Sequence, residues 1–516
     1  MGPAVGASSA EAPQLDGAVQ VTAAATPFRA YASPTLAVDR RRPDTLALAT
    51  ADTRNSQCSL QISTNGGRSW TELPGPKVPD WPNCVRNTQG PIASLAFDGE
   101  GTLYYAFVGW KPTDWHSRIF LGRSEDLGRT FQVTTLPGLE AHEDRGDIGS
   151  NALPAVVLDP TRAGRVYVSW SGNYGLWNLD PLLPAGKTQN DFPRRAMLAT
   201  SNDGGRTFGE PIDLGGDPKT SHTQPQVTVG KDGSVFAFFG EWRGAHFSPT
   251  QPAQDVHIFQ AVSRDGGKTF DRRTIHTTPG GDNYDFLITP VPAVDPRSGD
   301  VYLAWEDAGR RPTALLFMRS SDRGNAWSEP MRINDVEPRR HWDFSEMNPW
   351  MTVTSSGRID VAWYDWRDDT AFVPAAGATR ATDALQNVYY SSSADGGRTW
   401  TPDVRITDRS IDRRLSDVWT TGVHGPVGLA STDDTAYFAW DDTRNATADS
   451  KAQDVYSTRL RLGASAADGA GGSTGSGTNR LVWALFGVSL GLVVSGSALL
   501  LARRAASSSP AARAMS

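Results

Sequence analysis

The sequence predicts an all-β fold: seven four-stranded antiparallel sheets set in a ring, with the chain's own start completing the last sheet. Three observations predict it. One octapeptide recurs six times. Three strand patterns recur around it seven times, and the seventh copy lacks its fourth strand. Upstream of the first copy lies a strand, "AVQVTAA" (18–24), with no partner in its own repeat.

The octapeptides are "STNGGRSW" (63–70), "SEDLGRTF" (124–131), "SNDGGRTF" (201–208), "SRDGGKTF" (263–270), "SSDRGNAW" (320–327) and "SADGGRTW" (393–400). They share S-x-D-x-G-x-T-[WF]. The Asp position holds Asn65, Asp126, Asp203, Asp265, Asp322 and Asp395, and Ala326 replaces Thr in the fifth copy. Such a string suits a tight hairpin turn. The carboxylate accepts hydrogen bonds from turn N–H groups, glycine supplies positive φ, and the aromatic residue opens the next strand and packs inward.

Three strands surround each turn. A Pro-led apolar run comes first, as in "SPTLAVD" from Ser33 or "NPWMTVT" from Asn348. A β-rich run follows, as in "RVYVSW" (165), "DVYLAW" (300), "RIDVAW" (358) and "TAYFAW" (435). The third leads into the octapeptide, as in "NVYYSSS" (387), and a short fourth strand follows the aromatic. Four-stranded sheets at a period of roughly 60 residues make a β-propeller. The reading is a seven-bladed propeller over residues 18–462, with a six-bladed ring as the runner-up.

Composition agrees. The chain of 516 residues carries 51 Gly and 34 Pro, which suits turn-rich β structure. A net charge of −7 argues against a nucleic-acid partner, which needs a basic face. Residues 1–17 read as a disordered segment without a basic n-region or an apolar h-region. Residues 463–480 are a Gly/Ser-rich linker. Residues 481–502 run 22 positions without a charge, long enough to cross a bilayer as one helix. Arg503, Arg504 and Arg513 then place the tail 503–516 in the cytoplasm and the propeller outside the cell. That topology needs an export signal, so either the start stands downstream of the signal or the signal has been trimmed; a tail-anchored cytosolic domain is the alternative. Cys58 and Cys84 pair as a disulfide or stay as two thiols.

The octapeptides resemble the Asp-boxes, or BNR repeats, of sialidases and related propellers. The resemblance covers nearly all of residues 18–462 and implies the propeller fold. For catalysis it implies less, because the same boxes occur in propellers that are not enzymes. The boxes therefore read as carpentry.

Chemistry is expected on the other face. In a four-strand meander the box turn shares a face with the turn between strands one and two. The second-to-third loops and the blade-to-blade links share the opposite face, and they are long and polar. They supply substrate-binding candidates His142, Glu143, Arg145, Asp285, His341, Trp342 and Arg413. Aromatic faces stack on sugar rings, Arg grips carboxylates, and an acid protonates a leaving oxygen.

Sialidases place an Arg near the start, an Asp acid shortly before the first box, and a Tyr nucleophile assisted by Glu. Here "TPFRAYASP" offers Arg29, without the family's Ile-Pro. The acid's segment reads "NSQCS" (55–59), with no Asp. The catalytic candidates are Arg29, Asp147, Tyr284 and Glu346. Asp-x-Arg strings recur, as in "TADTRN", "WYDWRD" and "WDDTRN", and read as structural.

No cofactor is expected. Asp-rich stretches such as "DWRDD" would suit Ca²⁺, yet their spacing matches no EF-hand loop, and no metal-spaced His pair is present. The expectation is a monomeric, membrane-anchored propeller at the cell surface that takes a glycan or glycoconjugate. It is either a sialidase-type exo-glycosidase or a non-catalytic glycan- or protein-binding propeller.

Overall fold

The computed structural model describes residues 13–22, 29–84, 93–111, 116–138, 141–142, 147–148, 150–173, 192–217, 219–243, 255–278, 290–307, 314–335, 348–369, 385–416 and 425–462. They form seven antiparallel sheets, each a meander from an inner to an outer strand. Blade 1 comprises Tyr31–Val38, Leu46–Asp52, Gln57–Ser63 and Thr71–Pro74. Blade 2 runs from Ala93–Phe97 to Gln132–Thr135, and blade 3 from Asn151–Leu158 to Ile212–Asp213. Blade 4 spans Thr220–His222 and Gln226–Val229 to Asp271–Thr278. Blade 5 runs from Val291–Val294 to Met331–Arg332, and blade 6 from Trp350–Val353 to Val404–Arg405 and Ile411–Asp412. In blade 7, Gly428–Ser431, Thr435–Asp442 and Asp454–Arg461 need a fourth strand.

The chain's start supplies it. Gln14–Leu15 pairs with Leu460 and Arg461, and Val19–Gln20 pairs with Tyr456 and Ser457. The innermost strand of blade 7 lies beside that of blade 1, so the ring closes at seven and the six-bladed alternative is excluded. The closing strand begins at Gln14, earlier than the expected residue 18, and residues 14–17 belong to the propeller rather than to a disordered leader. The cause is Asp16, whose carboxylate takes Arg459 Nε at 2.6 Å and Arg461 Nη2 at 2.8 Å.

Apolar wedges fill the gaps between blades. Trp170, Trp305, Trp363 and Trp440 all end the β-rich run of a second strand, and all are fully buried. Tyr105, Tyr167, Tyr302 and Tyr364 are buried on the second strands of blades 2, 3, 5 and 6. The second strands are almost wholly buried, which is why they read as continuous apolar runs.

The boxes are hydrogen-bonded turns between strands three and four. In the third box Ser201 Oγ accepts the Gly205 N–H and donates to Asp203 Oδ1. Asp203 Oδ1 accepts the N–H groups of Arg206 and Thr207 at 3.0 and 2.9 Å, and Thr207 Oγ1 donates to Oδ2 at 2.6 Å. Gly204 and Gly205 have φ of +75° and +80°, which only glycine adopts cheaply. Asn65 keeps the backbone bond from Ser69 and donates to its hydroxyl instead of accepting. The closing aromatics reach the preceding blade: Trp70 Nε1 donates to Ser457 Oγ, and Trp327 Nε1 to Gln260 Oε1. The turn N–H and hydroxyl bonds hold Asp126 and Asp203 down to about 2 and push Asp265 lower still.

Among the described residues no helix is long and apolar enough to cross a membrane. The apolar run at 481–502 lies outside the described residues, as do the linker and tail around it.

Candidate site at the face opposite the boxes

Second strands end at this face, and they share one register. Aligning each on the box serine it pairs with superposes Asp52, Gly109, Gly172, Glu241, Asp307 and Asp365. Asp442 takes the position in the boxless seventh blade, two residues after Trp440. Five strand-end acids therefore lie around this mouth, with Gly109 and Gly172 at the same position in blades 2 and 3.

Most of these acids are structural. Trp363 Nε1 donates to Asp365 Oδ2 at 3.1 Å, and Arg367 binds the same carboxylate through Nε and Nη2. Trp440 Nε1 donates to Asp442 Oδ2 at 2.9 Å, and Arg444 Nη2 completes the same arrangement. Both guanidinium groups lie over tyrosine rings, Tyr389 at 4.0 Å and Tyr456 at 3.9 Å. In blade 1, Asp52 caps the N–H groups of Ala30 and Arg54 and accepts Asn55 Nδ2 at 2.5 Å. Arg54 Nη2 reaches the carbonyls of Ser450 and Lys451 in blade 7. The Asp-x-Arg strings thus bind loops within and between blades. The "DWRDD" carboxylates are likewise spent on protein donors: Asp368 takes Tyr389, Asn387 and Arg405, and Asp369 takes the Leu385 N–H. Among the described residues no group of three or more His, Cys, Asp or Glu is arranged to hold a metal ion.

Arg367 also joins blades 5 and 6. It meets Asp403 at 2.8 Å and Asp335 at 3.4 Å, and each of those aspartates accepts the other's backbone N–H. Burial, with Asp335 alongside, pushes Asp403 up to about 7.

Arg29 Nη1 donates to Tyr31 Oη at 2.5 Å and faces Glu72 at 3.6 Å. Burial raises the Tyr31 phenol to about 12. This Arg–Tyr–Glu grouping was missed in the sequence because Glu72 lies on the outermost strand. Tyr31 is 1% exposed, so its phenol is closed to a ligand. Arg413 is a correction. It was expected to bind substrate, yet it is fully buried, pairs with Asp441 and Gln386, and lies over Tyr364 at 5.2 Å. Burial with its counter-ion, Asp441, makes it a latch between blades 6 and 7.

The link between blades 2 and 3 forms a short hairpin, Ala141–His142 with Asp147–Ile148, and its register sets His142 opposite Asp147. Glu143, Arg145, Tyr284, Asp285, His341, Trp342 and Glu346 lie outside the described residues. Cys58 and Cys84 form a disulfide with Cα atoms 5.4 Å apart, tying the third strand of blade 1 to the link that follows that blade.

One group went unnoticed as a unit in the sequence. His222 Nε2 lies 3.2 Å from Glu241 Oε2 and 3.2 Å from Thr220 Oγ1, at the inner edge of blade 4. The available signal was that Phe239 and Glu241 stand where blades 5, 6 and 7 have Trp and Asp.

Closed ring, six boxes and a mouth opposite them define the class: the chain is a sialidase-like β-propeller built on Asp-box repeats. No family model matches the chain. A sialidase of Paraclostridium sordellii is 23% identical over 206 residues, 37% of this chain and 48% of its own length, so the match spans about half of that relative. Among solved structures, a Hadza microbial sialidase aligns with a TM-score of 0.45 at 16% identity, covering 80% of this chain and 73% of its own. An α-L-arabinanase of Penicillium chrysogenum aligns with a TM-score of 0.44 at 13% identity, covering 87% and 99%. The endosialidase of phage phi92 aligns with a TM-score of 0.42 at 12% identity, covering 90% and 72%.

Proposed function

We propose that the chain is a carbohydrate-directed propeller, held as a single copy at the outer cell surface by residues 481–502, and that it meets its glycan on the face opposite the Asp-boxes. One observation carries this reading. Every box turn is closed by its own hydrogen bonds, whereas the long polar connections all leave from strand ends on the other face. Propellers bind where loops, not tight turns, define the surface. The sialidase relative supports a sugar as ligand.

On this reading the activity is exo-glycoside hydrolysis, with Arg29, Asp147, Tyr284 and Glu346 as the groups to test. A second reading, glycan recognition without hydrolysis, is favoured by one specific observation. The segment Asn55–Ser59 holds no acid, and Asn55 is occupied in bonding Asp52.

The test is turnover of a panel of sialosides and other glycosides by the purified chain, with a glycan array in parallel. Hydrolysis reduced about 100-fold or more by alanine at one of the four residues supports the first reading. Glycan binding without turnover selects the second. A chain that neither binds nor cleaves any glycan contradicts both.

A further inference from the structure

The ring repeats, so a blade that breaks the repeat is where a site is expected. At the strand-end position blades 2 and 3 depart from aspartate to Gly109 and Gly172, and blade 4 departs to Glu241, the one departure that keeps a carboxyl. Glu241 is one methylene longer than the aspartates at this position in blades 1, 5, 6 and 7, and its described partners are His222 and Thr220. His222 is 1% exposed and Glu241 14%, so the imidazole lies behind and the carboxyl is the end that meets solvent.

The proton arrangement follows from the partners. His222 Nδ1 lies 3.2 Å from the Arg194 carbonyl oxygen, which can only accept. Nδ1 therefore carries hydrogen, and Nε2 faces Glu241 Oε2 at 3.2 Å. Two bare acceptors do not sit at that distance, so the contact holds a proton on one group or the other. The ring is fixed from both sides. Phe239 meets it edge-on at 5.2 Å, and a Cβ on Gly215 would fall 2.1 Å from its Cε1. Thr220 Oγ1, which also donates to the Asp217 carbonyl, closes the third side.

We infer that Glu241 is the proton donor for glycoside cleavage at this face and that His222 is its positioning residue. This rests on the carbohydrate-directed reading above. It also supplies the acid that the segment before the first box lacks. The ligand class is a glycoside presented with its glycosidic oxygen toward blade 4. Glu241 gives its proton to that oxygen as the bond to the anomeric carbon breaks, and the aglycone leaves as the alcohol. Water then adds to the anomeric carbon and returns a proton to Glu241, so the cycle consumes one water and no other reagent.

The experiment compares 4-nitrophenyl and methyl glycosides of the same sugars on the full-length chain. A nitrophenolate leaves without help, whereas an alkoxide needs the proton. Glu241→Gln is expected to lower kcat/KM, which reports the steps up to bond cleavage, about 100-fold or more on the methyl glycoside and to leave kcat/KM on the nitrophenyl glycoside within a few-fold. Gly215→Ala, whose Cβ would clash with the imidazole and which leaves the Glu241 side chain itself unaltered, is expected to lower kcat on the methyl glycoside with little change in KM. An unchanged thermal midpoint in both variants shows that the fold survives. Equal losses on both substrates, or no loss, overturn the assignment. So does a wild-type chain that turns over neither substrate, and in that case binding on the glycan array still decides the broader reading.

Discussion

The two faces of the ring use carboxylates in opposite ways. On the box face each aspartate accepts N–H and hydroxyl groups of its own turn within four residues. Any box could be exchanged for another, and the six copies differ only at Asn65, Ser69 and Ala326 within the Ser–Asp–Gly–Thr frame. On the opposite face the strand-end acids start from one register and then diverge. Asp365 and Asp442 take Arg and Trp, Asp52 takes backbone and Asn55, and Glu241 takes His222. Repetition marks what holds the ring together, and departure from it marks where something else is asked of the chain.

That contrast can be broken by mutation, and the largest effect belongs to the buried latch. Arg413→Ala leaves Asp441 buried without its cation and should cost about 3–5 kcal/mol; a denaturant midpoint within error of wild type would show that Arg413 is not the latch. Cys58→Ser opens a covalent tie on the same face and should cost about 3 kcal/mol in the chain-entropy view, measured by the same melts under non-reducing conditions.

Asp403 gives a test confined to a pH window. Its folded carboxyl titrates near 7, against about 4 in an unfolded chain. Between those values the folded state holds a proton that the unfolded state releases, so stability falls as pH rises through the window. Asp403→Asn should flatten that fall, and a slope unchanged from pH 4 to 7 would remove the Asp335–Asp403 contact from the account.

The smallest effect is expected on the box face. Asp203→Ala removes four accepted bonds at an exposed turn and should cost about 1–2 kcal/mol without altering glycan binding. A binding loss from Asp203→Ala larger than its stability loss would move chemistry onto the wrong face.

Much of this was legible in the sequence, because a repeated fold states its period many times. Seven copies of three strands favoured seven blades over six, and the orphan strand pointed to closure. The structural nature of Asp-x-Arg was legible because it recurs. The start of closure at Gln14 was not, since two residues of ladder and one aspartate carry no pattern. Arg413 misled because its link is polar in sequence, and only packing shows Tyr364 and Asp441 closing over it. The His222–Glu241 pair spans 19 residues, and its signal was a broken repeat rather than a motif.

The most direct measurement places a bulky adduct on each face in turn. Arg206→Cys lies on a box turn and Ala448→Cys on the second-to-third loop of blade 7, and both positions are exposed. Each is coupled to a polyethylene glycol maleimide of about 5 kDa, and binding is then read on the glycan array. The account predicts that the adduct at 448 abolishes or sharply weakens glycan binding while the adduct at 206 leaves it intact. Binding lost at 206 and retained at 448 would contradict it.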